Sequence, residues 1–240
     1  MFKYLIRLFL FIHILGDFYL QSEQLADKKS KSYKYVFLHG VIYLVVSVLC
    51  VLPFYSFKLL IASIVFCCLH LIIDLIKFIY IKEKEETVNL YIVDQTLHIL
   101  SLLTVVFYLV FQDYDLVLIE GLANIFEKSK IDVSIIFLWL LLVLILAKPL
   151  NITIKQLLDK YKVKDDLGIE NAGAFIGTLE RIIIVLLISI NQFSTIGLVL
   201  TAKSVARYNK IAEDKQFAEY YLLGTLLSTL FALVIFFFLI

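Results

Sequence analysis

The feature that most constrains this chain is a series of apolar runs long enough to cross a bilayer as helices. A hydrocarbon core about 30 Å thick needs roughly 20 helical residues. Runs of about that length lie near 3–20, 35–52, 57–81, 91–111, 132–150, 173–190 and 216–240, with a shorter one at 193–207. They are too long for the alternating strands of about ten residues that build an outer-membrane barrel. The pattern predicts an all-α protein, a polytopic transmembrane helical bundle with seven to eight membrane segments.

Composition removes several other classes of protein. Hydrophobic residues make up 62 % of the 240 residues, which is more than a soluble domain carries. The net charge is only +1, so the chain lacks the basic excess that binds DNA or RNA, and we expect no nucleic-acid partner. Its three cysteines lie inside apolar runs and form no metal-binding pair of the CxxC type. The partner that the composition predicts is the lipid bilayer.

The polar segments suggest both domains and sidedness. We predict a four-helix membrane domain at 1–112, an amphipathic interfacial connector at 113–131 and a C-terminal helical membrane domain at 132–240. Sixteen of the 22 lysines and arginines fall in four of the segments between runs, at 21–34, 77–90, 148–172 and 203–215. Basic loops favour the cytoplasmic side. These four segments are therefore predicted to be cytoplasmic.

Histidine and aspartate recur together in the first half of the chain. All four histidines precede residue 99, and three have an aspartate one helical turn away: His13 with Asp17, His70 with Asp74, and His98 with Asp94. With 11 aspartates in 240 residues, a given histidine has one at four residues' distance with a probability of about 0.09. Three pairs among four histidines rarely arise by chance. Residues four apart share a helix face, so each pair presents both groups to one point.

These residues also share a depth in the predicted membrane. Each lies at the end of its run that adjoins the basic segment 21–34 or 77–90, and His39 follows the first of them. All seven side chains therefore belong to the same half of the bilayer, the predicted cytoplasmic half. Ionisable groups inside a membrane are costly unless they are paired or functional. The sequence thus predicts one polar cluster contributed by four helices.

Mixed imidazole and carboxylate donors suit a divalent metal ion, with zinc expected first and manganese or iron as alternatives. Asp17 is expected to orient a ligand or to act as a general base, while Gln21 and Gln95 orient substrate or water. The competing interpretation is that each histidine is a hydrogen-bonded structural residue or part of a proton relay. The predicted metal ligands are His13, His39, His70, Asp74, Asp94 and His98.

A smaller charged set lies in the second half. Glu180 or Glu219 paired with Arg207 would form a structural ion pair between helices. In a functional interpretation, Arg181, Lys203 and Arg207 bind the phosphate of a lipid or isoprenoid, because arginine favours bidentate contacts with phosphate. Lys31, beside the histidine cluster, is a further candidate for holding that phosphate.

Several of these motifs together resemble a bacterial inner-membrane family catalogued as domain of unknown function 3307. The resemblance covers about residues 1–110, and the later segments containing Glu180-Arg181, Lys203 and Glu219 resemble the C-terminal half of its longer members. It implies a multi-pass protein of the bacterial inner membrane and brings no established reaction. A more distant likeness is to membrane-bound metal-dependent hydrolases. The motifs that carry the main resemblance are His13-Ile-Leu-Gly-Asp17-Phe-Tyr-Leu-Gln21, His39 with its preceding lysines, His70-x3-Asp74 and Asp94-Gln95-x2-His98.

Three functions fit this cluster at the level of sequence. The first is a membrane-embedded metal-dependent hydrolase acting on a lipid-linked phosphate or similar substrate near the cytoplasmic leaflet. The second is a metal-ion or proton-coupled transporter that uses the same residues. The third is a non-catalytic membrane scaffold with a structural metal. Since the prolines are absent from the cluster-bearing runs, the broken helices of many transporters are not predicted here.

Overall fold

A computed structural model describes residues 2–54, 56–81, 87–130, 132–162 and 172–240. All regular secondary structure in these ranges is helical, which confirms the predicted all-α class. The chain divides into two compact units, Met1–Leu141 and Leu142–Ile240. Three of the lysines used to predict sidedness, Lys82, Lys84 and Lys164, lie outside the described residues.

Among its described residues, the first unit contains six α-helices and the start of a seventh. A π-helix at Leu15–Tyr19 continues the first helix directly, and a 3-10 turn at Leu52–Phe54 follows the third. The helices are α1 (Phe2–Ile14), α2 (Glu23–Lys31), α3 (Tyr33–Val51), α4 (Phe57–Ile81), α5 (Val88–Phe111), α6 (Glu120–Ser129) and α7 (Val133–Leu146).

The second unit begins within α7, and the part of it that the structure describes continues through five more α-helices. Pro149 lies in the first turn of the next helix, where its missing N–H removes no helical hydrogen bond. A 3-10 turn at Asp159–Tyr161 ends that helix. The helices are α8 (Lys148–Leu158), α9 (Ala172–Ser189), α10 (Phe193–Ala206), α11 (Tyr208–Glu213) and α12 (Lys215–Leu239).

Six helical stretches are long and apolar enough to cross a membrane, judged by length and composition. A seventh is obtained when the bent pair Phe2–Tyr19 and Glu23–Lys31 is counted as one span. The helix α10 has only 14 residues. At 1.5 Å per residue it is about 21 Å long, which falls short of the hydrocarbon thickness. The chain is therefore a polytopic helical membrane protein, and α10 is a short apolar helix that lies outside the six longer stretches.

The first unit is held together by an apolar core between α1, α3, α4 and α5. Phe9 and Phe66 meet edge to face in this core, with 5.4 Å between ring centroids. The core lies towards the N-terminal end of α1 and the C-terminal end of α5, whereas the histidines lie at the opposite ends. Its most buried members include Leu5, Phe9, Phe66, Leu102, Val106 and Leu109.

The chain turns sharply between the first two helices. The stretch Phe2–Tyr19 and the helix α2 are bent by 85° relative to each other. Ser22 begins α2 because its hydroxyl accepts a hydrogen bond from the backbone N–H of Leu25. No residue of α2 is buried, and the helix carries three lysines in its last turn. A polar helix thus leaves the apolar bundle directly beside the aspartate at position 17.

Candidate metal centre

Four helical segments bring the predicted His/Asp cluster together. His13 lies in the last turn of α1, and Asp17 lies in the π-helix that follows. The helix α3 contributes His39, α4 contributes His70 and Asp74, and α5 contributes Asp94 and His98. Six of these seven residues are at most 6 % exposed, and the side chain of Asp17 is 9 % exposed.

The π-helix positions Asp17. A π-turn adds a residue to the regular helix, and such turns are common at functional sites. Gly16 lies against the ring of Tyr43, and a Cβ atom at this position would overlap that ring. The absence of a side chain at Gly16 therefore lets α3 approach closely enough for His39 to reach Asp17.

Asp17 bridges two histidines from two other helices. One of its oxygens, Oδ1, lies 2.7 Å from Nε2 of His70 and 3.1 Å from Nε2 of His39. By contrast, its contact with His13 one turn earlier is longer, at 3.7 Å between Nδ1 and Oδ2. The closest contacts between imidazoles and carboxylates thus run between helical segments rather than along one helix.

The Asp17 contacts define the donor and acceptor nitrogens of two rings. Carboxylate oxygens accept hydrogen bonds, so Nε2 donates in both His39 and His70. In a neutral ring the other nitrogen, Nδ1, then carries a lone pair. Both Nδ1 atoms are buried and have no hydrogen-bond partner. Such a hydrogen bond to the second nitrogen is how metal-binding imidazoles are commonly oriented.

His98 has the same arrangement with its two nitrogens exchanged. Its Nδ1 donates to the backbone carbonyl of Asp94, 2.8 Å away. Its Nε2 is buried without a hydrogen-bond partner, and so is Oδ1 of Asp94. Three imidazoles therefore present lone pairs that no group in the described part of the chain uses.

The donor atoms form three overlapping sets. In each set the ligand atoms all lie within 4.8 Å of one another, a spacing that one ion could bridge. His70 and Asp74 each belong to two sets. The sets are His13, Asp17 and His70; His39, His70 and Asp74; and Asp74, Asp94 and His98. All six predicted ligands and Asp17 are included.

His13 occupies the apolar side of the cluster. Its Nδ1 lies 3.3 Å from the hydroxyl of Tyr43. Its ring stacks on that of His98, with 5.4 Å between centroids and 23° between planes. The side chain of Gln95 also interacts with His13. His13 thus packs against the other members of the cluster on two sides.

Two lysines contact the carboxylates of the cluster, and the sequence analysis named neither as a site residue. The Nζ atom of Lys29 lies 2.8 Å from both oxygens of Asp74. Lys77 lies 3.2 Å from Oδ2 of Asp94, which also accepts a hydrogen bond from Gln95. The sequence did contain one indication that Lys77 belongs to the site. Lys77 follows Asp74 by three residues, so it lies about one helical turn closer to the polar segment at 77–90.

Lys31, which was predicted to bind phosphate beside the cluster, forms its ion pair within α2. Lys31 pairs with Asp27 within α2, at 2.7 Å, and its side chain is 68 % exposed. Gln21 is half-buried and accepts a hydrogen bond from Lys29 at 3.2 Å. Of the lysines of α2, the one at position 29 is therefore the one that enters the cluster.

Arg181 is the centre of a buried network in the second unit. It is 1 % exposed. Its Nε donates to the carbonyl of Leu146 next to the α7–α8 break, and Nη1 donates to Ser228 in α12. Its Nη2 donates to Asn151 and Thr178. The guanidinium thus connects α8, α9 and α12 through neutral oxygen atoms.

The other charged residues of this unit are arranged differently from the predicted ion pair. Glu180 pairs with Lys203, which also donates to Thr225 at 3.2 Å. Arg207 instead lies over the ring of Phe217, 5.9 Å from its centroid, and Glu219 is exposed. The structure therefore joins Glu180 to α10 through Lys203, and Glu219 takes no part in that pair.

Comparison with known proteins gives one result. A family model described as protein of unknown function, DUF3307, matches residues 5–124 and so includes every member of the His/Asp cluster. Neither a curated protein nor a solved structure matches the chain. With half of its length matched, and with the region that carries the cluster inside the match, the chain belongs to the DUF3307 family.

Proposed function

We propose that this protein is a membrane-embedded metal-dependent hydrolase that acts on a lipid-linked phosphate or a similar substrate. The centre would lie in the cytoplasmic half of a bacterial inner membrane. Zinc is the first candidate ion, with manganese or iron as alternatives. The ligands would come from His13, His39, His70, Asp74, Asp94 and His98.

One observation carries the metal site. In His39, His70 and His98, one ring nitrogen donates to an oxygen and the other is buried without a partner. Leaving a buried polar atom unpaired costs about 1–3 kcal/mol, and three such atoms in one cluster call for a ligand. A divalent cation accepts an electron pair and therefore matches these nitrogen atoms. A hydrogen-bond acceptor does not, because it would bring only a further lone pair.

The surrounding residues supply the remaining requirements of hydrolysis. A bound divalent ion activates water and polarises a phosphoryl oxygen. Asp17 fixes the orientation of two imidazoles and is the candidate general base. Gln21 and Gln95, both half-buried beside the lysines, are suited to orient substrate or water.

The apolar core closes the cluster on one side. Phe9, Phe66 and Leu102 fill this side and are at most 2 % exposed. The buried hydroxyls of Ser63 and Ser101 donate to carbonyls of their own helices. A cluster that packed apolar side chains close on one side suits an enzyme better than a pathway across the bilayer.

Elemental analysis of the purified protein tests the metal site. We expect the wild type, purified with metal present throughout, to retain a divalent transition metal. His70→Ala and His98→Ala should lose most of it. Asp27→Asn, which alters an exposed aspartate outside the cluster, should retain it. A wild type without metal would contradict the proposal.

Release of inorganic phosphate from lipid substrates tests the reaction. Vesicles containing phosphatidic acid or an isoprenyl diphosphate should yield phosphate with wild-type protein and metal, and no phosphate after chelation. Asp17→Asn should abolish turnover. If the metal is bound and every lipid phosphate stays intact, the hydrolase assignment fails.

The bent first span favours a second candidate, a metal-ion or proton-coupled transporter. Interrupted helices that carry polar residues are typical of transporter binding sites, and here the 85° bend adjoins Asp17. Metal or proton flux into proteoliposomes that Asp74→Asn abolishes would support this function. Lipid-phosphate hydrolysis without any flux would exclude it.

A further inference from the structure

Four donor atoms of the candidate metal centre are buried and have no hydrogen-bond partner among the described residues. They are Nδ1 of His39, Nδ1 of His70, Nε2 of His98 and Oδ1 of Asp94. These residues divide equally between two of the donor sets. His39 and His70 belong to one set, and Asp94 and His98 belong to another. Asp74 is the third member of both sets, so each pair of residues adjoins the same carboxylate.

One ion cannot hold both pairs. Ligand atoms lie about 2.0–2.2 Å from a zinc ion, so two ligands of one ion are at most about 4.4 Å apart. In the part of the chain that the structure describes, no set of donor atoms within 4.8 Å joins His39 to Asp94 or to His98. A single ion bound to one pair therefore leaves the buried atoms of the other pair without a partner, which costs free energy.

The remaining donor set is already hydrogen-bonded. His13 places its Nδ1 3.3 Å from the hydroxyl of Tyr43. Asp17 accepts hydrogen bonds from two imidazoles through Oδ1. Neither His13 nor Asp17 contributes to the buried unpaired atoms of the described residues. The two sets that contain Asp74 are therefore the ones that call for a cation.

Asp74 has the lone pairs that a bridging ligand requires. An ionised carboxylate offers about four lone-pair positions on its two oxygens. Lys29 contacts both oxygens at 2.8 Å and so takes one position on each. One position on each oxygen then remains for a metal ion. Nδ1 of His70 lies 3.6 Å from Oδ2 of Asp74, which is close to the roughly 3.4 Å between two ligands of a tetrahedral ion.

The two sets also lie side by side. The ring of His70, which belongs to one set, is 4.4 Å from the ring of His98, which belongs to the other, between centroids. These histidines come from α4 and α5, which pack against each other. Ions bound by the two sets would therefore be neighbours. Enzymes that use two metal ions hold them about 3.5–4 Å apart.

We infer that this centre holds two metal ions bridged by Asp74. One ion is bound by His39 and His70, and the other is bound by Asp94 and His98. The inference rests on the proposed metal site and extends the proposed hydrolase to a reaction at two ions. Such a pair stabilises both the attacking and the leaving oxygen of an in-line displacement. The substrate class that fits it is phosphate esters and phosphoanhydrides.

Binding of manganese(II) to the full chain in detergent micelles tests the inference. Equilibrium dialysis gives the number of ions bound per chain at saturation. Electron paramagnetic resonance shows whether the bound ions are coupled through a shared ligand. The variants are His39→Ala, which alters one set, and Asp94→Ala, which alters the other. Asp27→Asn, which alters an exposed aspartate outside the cluster, is the control, and circular dichroism reports whether each variant is folded.

The wild type should bind two manganese ions per chain, and exchange coupling should replace the six-line spectrum of isolated manganese. His39→Ala and Asp94→Ala should each bind one ion with a six-line spectrum. Asp27→Asn should behave like the wild type. One ion in the saturated wild type, or two ions without coupling, overturns the inference and leaves the proposed metal site intact. A folded variant of either set that loses both ions also overturns it.

Two further outcomes separate the inference from the proposed function. A wild type that binds no manganese overturns both together. Two coupled ions in a protein that releases no phosphate from any lipid would support the two-ion centre and overturn the hydrolase alone.

Discussion

The ring of Tyr43 stacks on the imidazole of His70, with 3.7 Å between centroids and 29° between planes. The same tyrosine places its hydroxyl 3.3 Å from Nδ1 of His13. Tyr43 is fully buried, so one side chain fixes the position of two histidines from different helices.

Removing only the hydroxyl separates these two roles. In Tyr43→Phe the stack on His70 remains and the contact with His13 is lost, so the free energy of unfolding should fall by about 1 kcal/mol. In Tyr43→Ala it should fall by about 3–5 kcal/mol, and metal affinity should fall as well. Unfolding in mixed micelles of increasing SDS content, followed by circular dichroism, measures both. Equal losses in the two variants would show that the stack contributes nothing.

Gly16→Ala, a change in the π-helix, should also displace the ring of Tyr43. The added Cβ would overlap the Tyr43 ring, and overpacking of this kind destabilises by about 1–3 kcal/mol. Since Gly16 precedes Asp17, metal content should fall too. The control is Gly121→Ala in α6, where a Cβ meets nothing within 4 Å. Similar stability and metal content in both variants would refute the role of Gly16.

Asp17→Asn tests the orientation of the imidazoles. The amide keeps the shape of the side chain but removes the charge that holds the Nε2 hydrogens of His39 and His70. Changes of this kind typically lower metal affinity by about 10–100-fold. Asp27→Asn serves as the control. The measurement is a competition titration of zinc against a chromogenic chelator, and an unchanged affinity would mean that Asp17 does not position ligands.

Arg181→Met should weaken the second unit without affecting the metal. It leaves the Leu146 carbonyl and the side chains of Ser228 and Asn151 without their donor. The free energy of unfolding should fall by about 1–3 kcal/mol for each of these neutral acceptors that stays buried and unpaired. Arg207→Met, which changes a half-buried residue, should cost less. Loss of metal in Arg181→Met at temperatures where the protein stays folded would contradict this separation.

The sequence was sufficient to predict the helical class and the members of the cluster. Apolar runs of bilayer length leave few alternatives to helices, and three His/Asp pairs at helical spacing place both groups on one face. The pairs do share a face, but their contacts within each helix are 3.6–3.7 Å long. The shorter contacts join different helices, and a single sequence does not specify how helices are rotated against each other.

The identity of the contacting lysine could not be predicted for the same reason. Lys29 and Lys31 lie two residues apart on α2, so they point to different faces. Which face meets Asp74 depends on the 85° bend and on the extra residue of the π-helix. Neither feature follows from regular helix geometry, and Lys31 was chosen only because it lies beside the cluster in the sequence.

The helix α2 buries none of its own residues, and yet one of its side chains reaches a carboxylate that is 2 % exposed. Local opening of α2 would break the pair of Lys29 and Asp74 together with the packing of α2 against α3 and α4, and the apolar core of the unit would remain packed. Metal binding at the candidate centre would then change the hydrogen-exchange rate of the α2 amides, although these amides are not part of the centre. The ion pair of Lys29 and Asp74 therefore links the local stability of this exposed helix to access to the buried centre.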